Sequence, residues 1–215
     1  MMILALEFSS AQRSVAVAHK DGATEAIETG GHGTNAFSLI EKALMEAHLE
    51  RSQVDVIAVG LGPGSYTGIR VALSMAQGWQ LARSVKLLGI SSAECLAAQA
   101  QVENIFGIVN TIIDAQRNEF YCATYDISHD CWKEIEPLKI TDLQSTSSGT
   151  TMDKIWIGPE VTRWFLHGKI LFPSAATLAR LSRNRNDFKT GDKLTPIYLR
   201  EVSFVKAPPP NPVIV

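Results

Sequence analysis

The stretch VDVIAVGLGPGSYTGIRVALSMAQGWQLAR, residues 54–83, decides how this chain is read. Val54–Val59 is an apolar, β-branched run that predicts a buried strand, and Thr67 to about Ser84 carries the periodicity of a helix. The glycine-rich turn Gly60–Arg70 joins them, and such a turn is a place for a phosphate, because free backbone N–H groups and the helix dipole favour an anion there. Two specific forms of that site fail on the residues. A Walker-type loop ends in Gly-Lys-Ser/Thr, whereas this one ends in Thr67-Gly68-Ile69-Arg70, without the lysine. A dinucleotide fingerprint is G-x-G-x-x-G with an acid about 20 residues on. Here Gly62, Gly64 and Gly68 are spaced one residue too wide, and Leu81, Ala82 and Arg83 stand where the acid belongs. The alternative is a structural turn, Gly62-Pro63-Gly64, that launches the helix with Ser65 or Thr67 as its cap and Gly68 in its first turn.

Upstream, MILALEFSS (2–10) and RSVAVAHKDG (13–22) predict two strands, the second closed by the turn signal Asp21-Gly22, and ATEAIET (23–29) a third. The chain therefore opens as an antiparallel meander. TNAFSLIEKALMEAHL (34–49) places Phe37, Ile40 and Leu44 with Ala36, Ala43 and Ala47 on one helix face, capped by Thr34 or Asn35. Downstream, KLLGI (86–90) predicts a strand, and Ser91 with Glu94 a capping box that opens another helix. Strands separated by helices need crossover connections and hence parallel pairing. A meander followed by parallel strands with helices on the faces is the order of an RNase H-like α/β layer.

After about Asn104 the pattern restarts. IFGIVNTIIDA (105–115) and NEFYCATYDI (118–127) predict strands, CWKEIEPLKI (131–140) is a candidate third, and KIWIGPE (154–160) a strand and turn. The Ser/Thr-rich TDLQSTSSGTTMD (141–153) reads as loop, VTRWFLHG (161–168) and SAATLARLSR (174–183) as short helices, and APPPNPVIV (207–215) as an extended tail. The expected organisation is an N-terminal lobe over residues 1–103 and a smaller, degraded copy of it over 104–215.

Twenty Lys plus Arg face 22 Asp plus Glu, a net charge of -2, so no global positive field draws in nucleic acid. The three cysteines, Cys95, Cys122 and Cys131, are sparse and lack a CxxC, which points to reduced thiols. MMILALEFSS has no basic region ahead of its apolar run, unlike a secretory signal. No stretch approaches the roughly 18 apolar residues of a membrane span, and the expectation is a soluble, cytoplasmic protein.

The histidines His19, His32, His48, His129 and His167 never fall three or four apart, so no helix displays a metal-ligand pair, and G-x-S-x-G is absent. Neither a metallopeptidase nor a recognisable serine hydrolase finds support. Glu7 ends the first strand, followed by Ser9 and Ser10, and Asp114 ends the first strand of the second half. Those are places where a strand end offers carboxylates to magnesium, or merely to water. Around the helix that follows the glycine turn, apolar residues spread over roughly 200°, wider than the stripe of about 100° that one core needs. That surplus means either burial between two layers or an apolar face for a partner helix.

Five blocks in order, ILALEFSSAQRSVAVAHKDG, GLGPGSYTGIRVALSMAQGWQLA, LLGISSAECLA, DAQRNEFYCATYD and PIYLRE, resemble the signatures of the TsaB (YeaZ) family, and the G-P-G-S-[FY]-T-G-[LI]-R block is highly specific. The resemblance runs from about residue 2 to 200 and is thin between Cys131 and Thr190. It implies two RNase H-like lobes of the actin/sugar-kinase/Hsp70 superfamily, the second reduced. It also implies a non-catalytic subunit for threonylcarbamoyl transfer to the adenosine beside the anticodon of tRNAs reading ANN codons. Such a subunit acts by dimerising with its catalytic paralogue TsaD, with the ATPase TsaE joining, tRNA met only through the complex, and homodimers formed in the absence of TsaD. On that resemblance Phe37, Ile40, Leu44, Val71, Met75 and Trp79 are the expected interface. No cofactor is expected on this chain alone, and ATP or ADP with magnesium belongs to the complex. Two departures from ATP-using relatives stand out: Glu7-Phe8-Ser9-Ser10 replaces an Asp-x-Gly-Thr phosphate turn, and Ile157-Gly158-Pro159-Glu160 lacks a paired-glycine adenine platform. A self-sufficient ATPase or kinase of the same superfamily is the alternative, with a glycoprotease-like peptidase the weakest.

Overall fold

The computed structural model describes residues 1–19, 22–30, 35–146 and 154–200. The predicted meander forms: β1 (Ile3–Glu7), β2 (Gln12–His19) and β3 (Gly22–Thr29) pair antiparallel. Asp21, half of the expected turn, lies outside the described residues, as do Thr34 and His32. Helix α1 (Ala36–Glu46) is capped by Asn35, whose Oδ1 accepts from the N–H groups of Phe37 and Ser38. β4 (Val56–Gly60), α2 (Tyr66–Ala82) and β5 (Lys86–Ile90) complete a five-stranded sheet in the order β3-β2-β1-β4-β5, with β4 parallel to β1 and to β5. α3 (Ser92–Val102) follows, capped by Ser91 accepting from the Ala93 N–H. The expected reciprocal bond from Glu94 is replaced, because its carboxylate turns to Arg185 at 3.0 Å.

The second half repeats this wiring. β6 (Gly107–Gln116), β7 (Glu119–Ile127) and β8 (Trp132–Asp142) form a meander, the four-residue α4 (Leu143–Thr146) leads off, and β9 (Ile155–Gly158) and β10 (Lys169–Ile170) add in parallel on the far side of β6. The order β10-β9-β6-β7-β8 is that of the first sheet, so both lobes are RNase H-like. β8 tolerates Pro137 because it is an edge strand whose register with β7 shifts there. The Ser/Thr-rich segment expected to be loop enters β8 and α4 over 141–146, and its remainder lies outside the described residues, as does the proline-rich tail.

Reduction of the second lobe is concrete. Where the first lobe crosses from β4 to β5 through seventeen helical residues, the second crosses from β9 to β10 through one 3₁₀ turn, Val161–Arg163. The helix expected over 161–168 stops there because its aromatics turn down onto the sheet: Phe165 stacks on Trp156 at 3.8 Å, and Trp164 tilts against Phe120 at 5.3 Å.

The core is layered. α1 and α2 cover one face of the first sheet, packing Leu39, Ile40, Ile69 and Leu73 on Leu4, Leu6, Val15 and Val59. Each such side chain contributes about 1.5–3 kcal/mol by leaving water. The other face is covered by α5 (Ala175–Ser182), from the end of the chain, while α3 lies on the second sheet against Val109, Ile113 and Tyr125. The two lobes thus exchange helices across a shared middle layer.

Candidate functional site

Two places collect the residues singled out in the sequence: a cleft between the lobes and a groove on the outer face of α1 and α2. The cleft, about 450 Å³, is lined by Ser9, Ser10, Ser65, Asp114 and Glu160. Glu7 is not among its lining, because it is completely buried beneath it. Its carboxylate accepts from the Ser9 N–H at 2.8 Å and from the Ser92 hydroxyl at 3.4 Å. Burial holds its pKa above the usual carboxylate range, against the lowering effect of those hydrogen bonds. An acid so placed bridges β1 to α3 and presents nothing to a metal ion. Asp114 is also engaged, accepting from the Gln116 N–H at 2.7 Å and from Arg163 Nη1 at 2.6 Å. Glu160, beside it, is pushed up mainly by burial. Among the described residues no group of three metal-ligating side chains converges.

The glycine turn packs into the cleft wall. Ser65 N–H donates to the Ser9 carbonyl at 2.7 Å, Ser92 N–H to the Gly62 carbonyl at 2.8 Å, and Ile197 N–H to the Leu61 carbonyl at 2.9 Å. Gly64 has φ +144°, and a side chain there would run into the Ser9 carbonyl; one at Gly68 would run into that of Phe8. Ser65, rather than Thr67, is the cap, accepting from the Gly68 N–H at 3.3 Å. The turn's glycines serve close approach to the strand end that a phosphate would otherwise face.

The groove is larger, about 1020 Å³, and mostly apolar. Phe37, Ile40, Val71, Met75 and Trp79 all line it, while Leu44, at 3% exposure, faces the core instead. Phe37 is two-thirds exposed at 67%, and Ile40 shows only its edge at 2%. The wide apolar arc of α2 is thereby divided: Ile69, Ala72, Leu73 and Ala76 are buried on the sheet, and Val71, Met75 and Trp79 face outward in part. Sequence reasoning missed the groove's mouth. Arg70 lies over the Tyr66 ring at 4.1 Å and donates from Nε to the Tyr198 hydroxyl at 3.0 Å. The Tyr66/Arg70 spacing of one helical turn was the available signal; Tyr198, distant in sequence, gave none. Arg13, on β2, was also missed, and it lines both groove and cleft.

A family model described as TsaD, tRNA N6-adenosine threonylcarbamoyltransferase, matches residues 14–181. TsaB, a tRNA threonylcarbamoyladenosine biosynthesis protein, of Escherichia coli K12 is 26% identical, over 97% of this chain and 99% of its own length. TsaB of Haemophilus influenzae is 33% identical over 56% of this chain, and that of Bacillus subtilis 26% over 64%. Those two matches span 52% and 60% of the relatives' own lengths. Among solved structures, YeaZ from Pseudomonas aeruginosa superposes with a TM-score of 0.80 at 26% identity, covering 92% of this chain and 99% of that one. With the family model matched over most of this chain's length and the fold superposing on YeaZ along nearly all of both chains, the chain belongs to the TsaB (YeaZ) family.

Proposed function

We propose that this chain takes part in threonylcarbamoyladenosine formation on tRNA as a complex-forming subunit, seating its α1/α2 face against a TsaD-type catalytic subunit. The observation that carries the reading is the open groove, where Val71, Met75 and Trp79 present apolar surface that the chain's own core leaves uncovered. Relatives named for this pathway support it. In this reading TsaE, ATP or ADP with magnesium, and tRNA belong to the assembled complex in the cytoplasm. Among the described residues no helix is long and apolar enough to cross a membrane.

The alternative of a self-sufficient ATPase or kinase meets a poor fit to nucleotide. Glu7 is sealed, Asp114 is held by Arg163, and the glycine turn spends the Ser65 N–H on the Ser9 carbonyl. These residues give no basis for a hydrolytic step on this chain. Light scattering of the protein mixed with the TsaD-type subunit of the same organism is expected to show a heteromeric complex, and reconstituted tRNA modification to fail without this chain. Absence of the complex, or modification unchanged by omission, overturns the reading. Calorimetry with ATP and magnesium on the lone protein is expected to be silent; tight binding lost on Asp114→Ala would favour the alternative.

A further inference from the structure

PIYLRE is the sequence block that the docking role leaves without a part to play, and its described residues, 196–200, run from one lobe to the other. Ile197 is fastened to the first lobe. Its N–H donates to the Leu61 carbonyl at 2.9 Å, and its side chain packs on the core that α1 and α2 cover. Tyr198 is fastened to the first turn of α2, its hydroxyl accepting from Arg70 Nε at 3.0 Å and its ring lying 6.1 Å from that of Tyr66. Two residues on, Arg200 Nη2 donates to the Ala115 carbonyl at 2.9 Å and to Glu119 Oε2 at 2.6 Å, both in the second lobe. The three residue steps from Ile197 to Arg200 reach about 10 Å at most. A short length of chain therefore ties the two rims of the cleft, which Tyr66 lines on one side and Ala115 and Gln116 on the other.

What Arg200 holds is strained. β6 and β7 join through the two-residue turn Arg117-Asn118, and Gln116, Arg117 and Asn118 all have left-handed backbone, at φ +64°, +59° and +62°. Glycine, asparagine or aspartate suit such positions, and Gln116 and Arg117 are none of these. Consecutive left-handed residues of this kind persist only where their surroundings fix them. Two arginines from distant parts of the chain supply the fixing. Arg163 grips Asp114, whose Oδ1 also accepts from the Gln116 N–H, and Arg200 grips Ala115 and Glu119. An exposed ion pair by itself contributes little. One that closes a tether on a strained turn decides the shape of that turn.

We infer that residues 197–200 form an interlobe strap, a conformational latch that sets the β6–β7 hairpin in its left-handed shape and couples it to the first turn of α2. The path is contiguous: Arg70 to Tyr198, along the chain to Arg200, and on to Ala115 and Glu119. Opened at either end, the strap lets the hairpin relax, and the cleft wall that Asp114, Ala115 and Gln116 form moves with it.

Amide hydrogen exchange of the full-length chain tests this, because Tyr198 has no bond or ring contact with the hairpin among the described residues. Tyr198→Ala and Arg200→Gln are each expected to speed exchange over residues 115–119 by about tenfold or more, with the melting temperature within a few degrees of wild type. Arg117→Gly, which lifts the left-handed penalty, is expected when added to Arg200→Gln to bring exchange back to within about threefold of wild type. A hairpin weakened only by a lost contact would gain nothing from that glycine. Should Tyr198→Ala fail to fold, Tyr198→Phe, which keeps the ring and loses only the bond from Arg70, is expected to speed the same amides. Hairpin exchange unchanged in the Tyr198 variant that folds overturns the inference, as does fast exchange in Arg200→Gln that Arg117→Gly does not slow. Protection lost evenly across both sheets would make the segment ordinary core packing and overturn it as well. The measurement needs no partner, so its outcome stands apart from that of the docking role.

Discussion

Glu7 occupies a strand end where a carboxylate can face magnesium or water, but three neighbours convert it into a structural group. Ser9 N–H and the Ser92 hydroxyl occupy its two oxygens, and Gly60 stands so close that any side chain there would collide with the carboxylate. Because burial raises its pKa in the folded state, the fold binds this proton more tightly than the unfolded chain does. Its contribution to stability is then fully present below the unfolded pKa near 4.5 and declines as pH rises through the folded value. Glu7→Gln, which keeps an acceptor for Ser9 and offers an amide to Ser92, should therefore match or exceed the wild-type melting temperature at neutral pH, with the difference shrinking toward pH 4.5. Glu7→Ala should cost about 1–3 kcal/mol at low pH, since it strands the Ser9 N–H, and less as pH rises. Thermal melts of both variants across pH check the sign. The type of residue at the strand end was legible in the sequence; its burial was not, because the lid is Ser92, eighty-five positions away.

At the scale of elements, periodicity located the helices well and their faces less well. The face read through Phe37, Ile40 and Leu44 with Ala36, Ala43 and Ala47 packs on the core except at Phe37, which is exposed on its flank, and the reading leaves out Leu39, which is buried. A wheel cannot tell core from groove when both are apolar. For α2 the excess breadth carried real information, since one arc packs on the sheet and the next lines the groove. Met75→Glu should therefore leave the melting temperature within a few degrees of wild type and weaken binding of the TsaD-type subunit on the order of 100-fold. Calorimetric melts beside binding isotherms test it; loss of the fold would mean that Met75 belongs to the core. Ser65→Ala, which removes the cap at Gly68, should cost about 1 kcal/mol in denaturant unfolding.

At the scale of the whole molecule, the repeat of strand order was readable from two meanders and two glutamate- or aspartate-ended strands. The exchange of helices was not, because nothing in local pattern says which sheet an amphipathic helix will cover. α3 and α5 look alike in sequence position within their halves, yet each crosses to the other lobe's sheet. A fragment of residues 1–103 would leave Ile3, Ala5, Val56, Ala58 and Leu88 without Leu178 and Ala179 above them. It should show no cooperative unfolding transition and should aggregate, whereas the full chain melts in one transition; circular dichroism and light scattering decide. Two separate calorimetric transitions in the full chain would contradict this.

The shared middle layer also bears on motion. α3 and α5 meet there through Cys95, which packs with Ala175 and Ala179, through Gln99, whose Oε1 accepts from the Ser174 and Thr177 hydroxyls, and through Arg180 donating to the Ala98 carbonyl, with Arg185 bridging to Glu94. Swinging one sheet away from the other would shear this seam along its length rather than turn about a flexible joint. The chain is built as a stiff block, and a partner that presses on α1 and α2 meets a surface whose shape is set before contact.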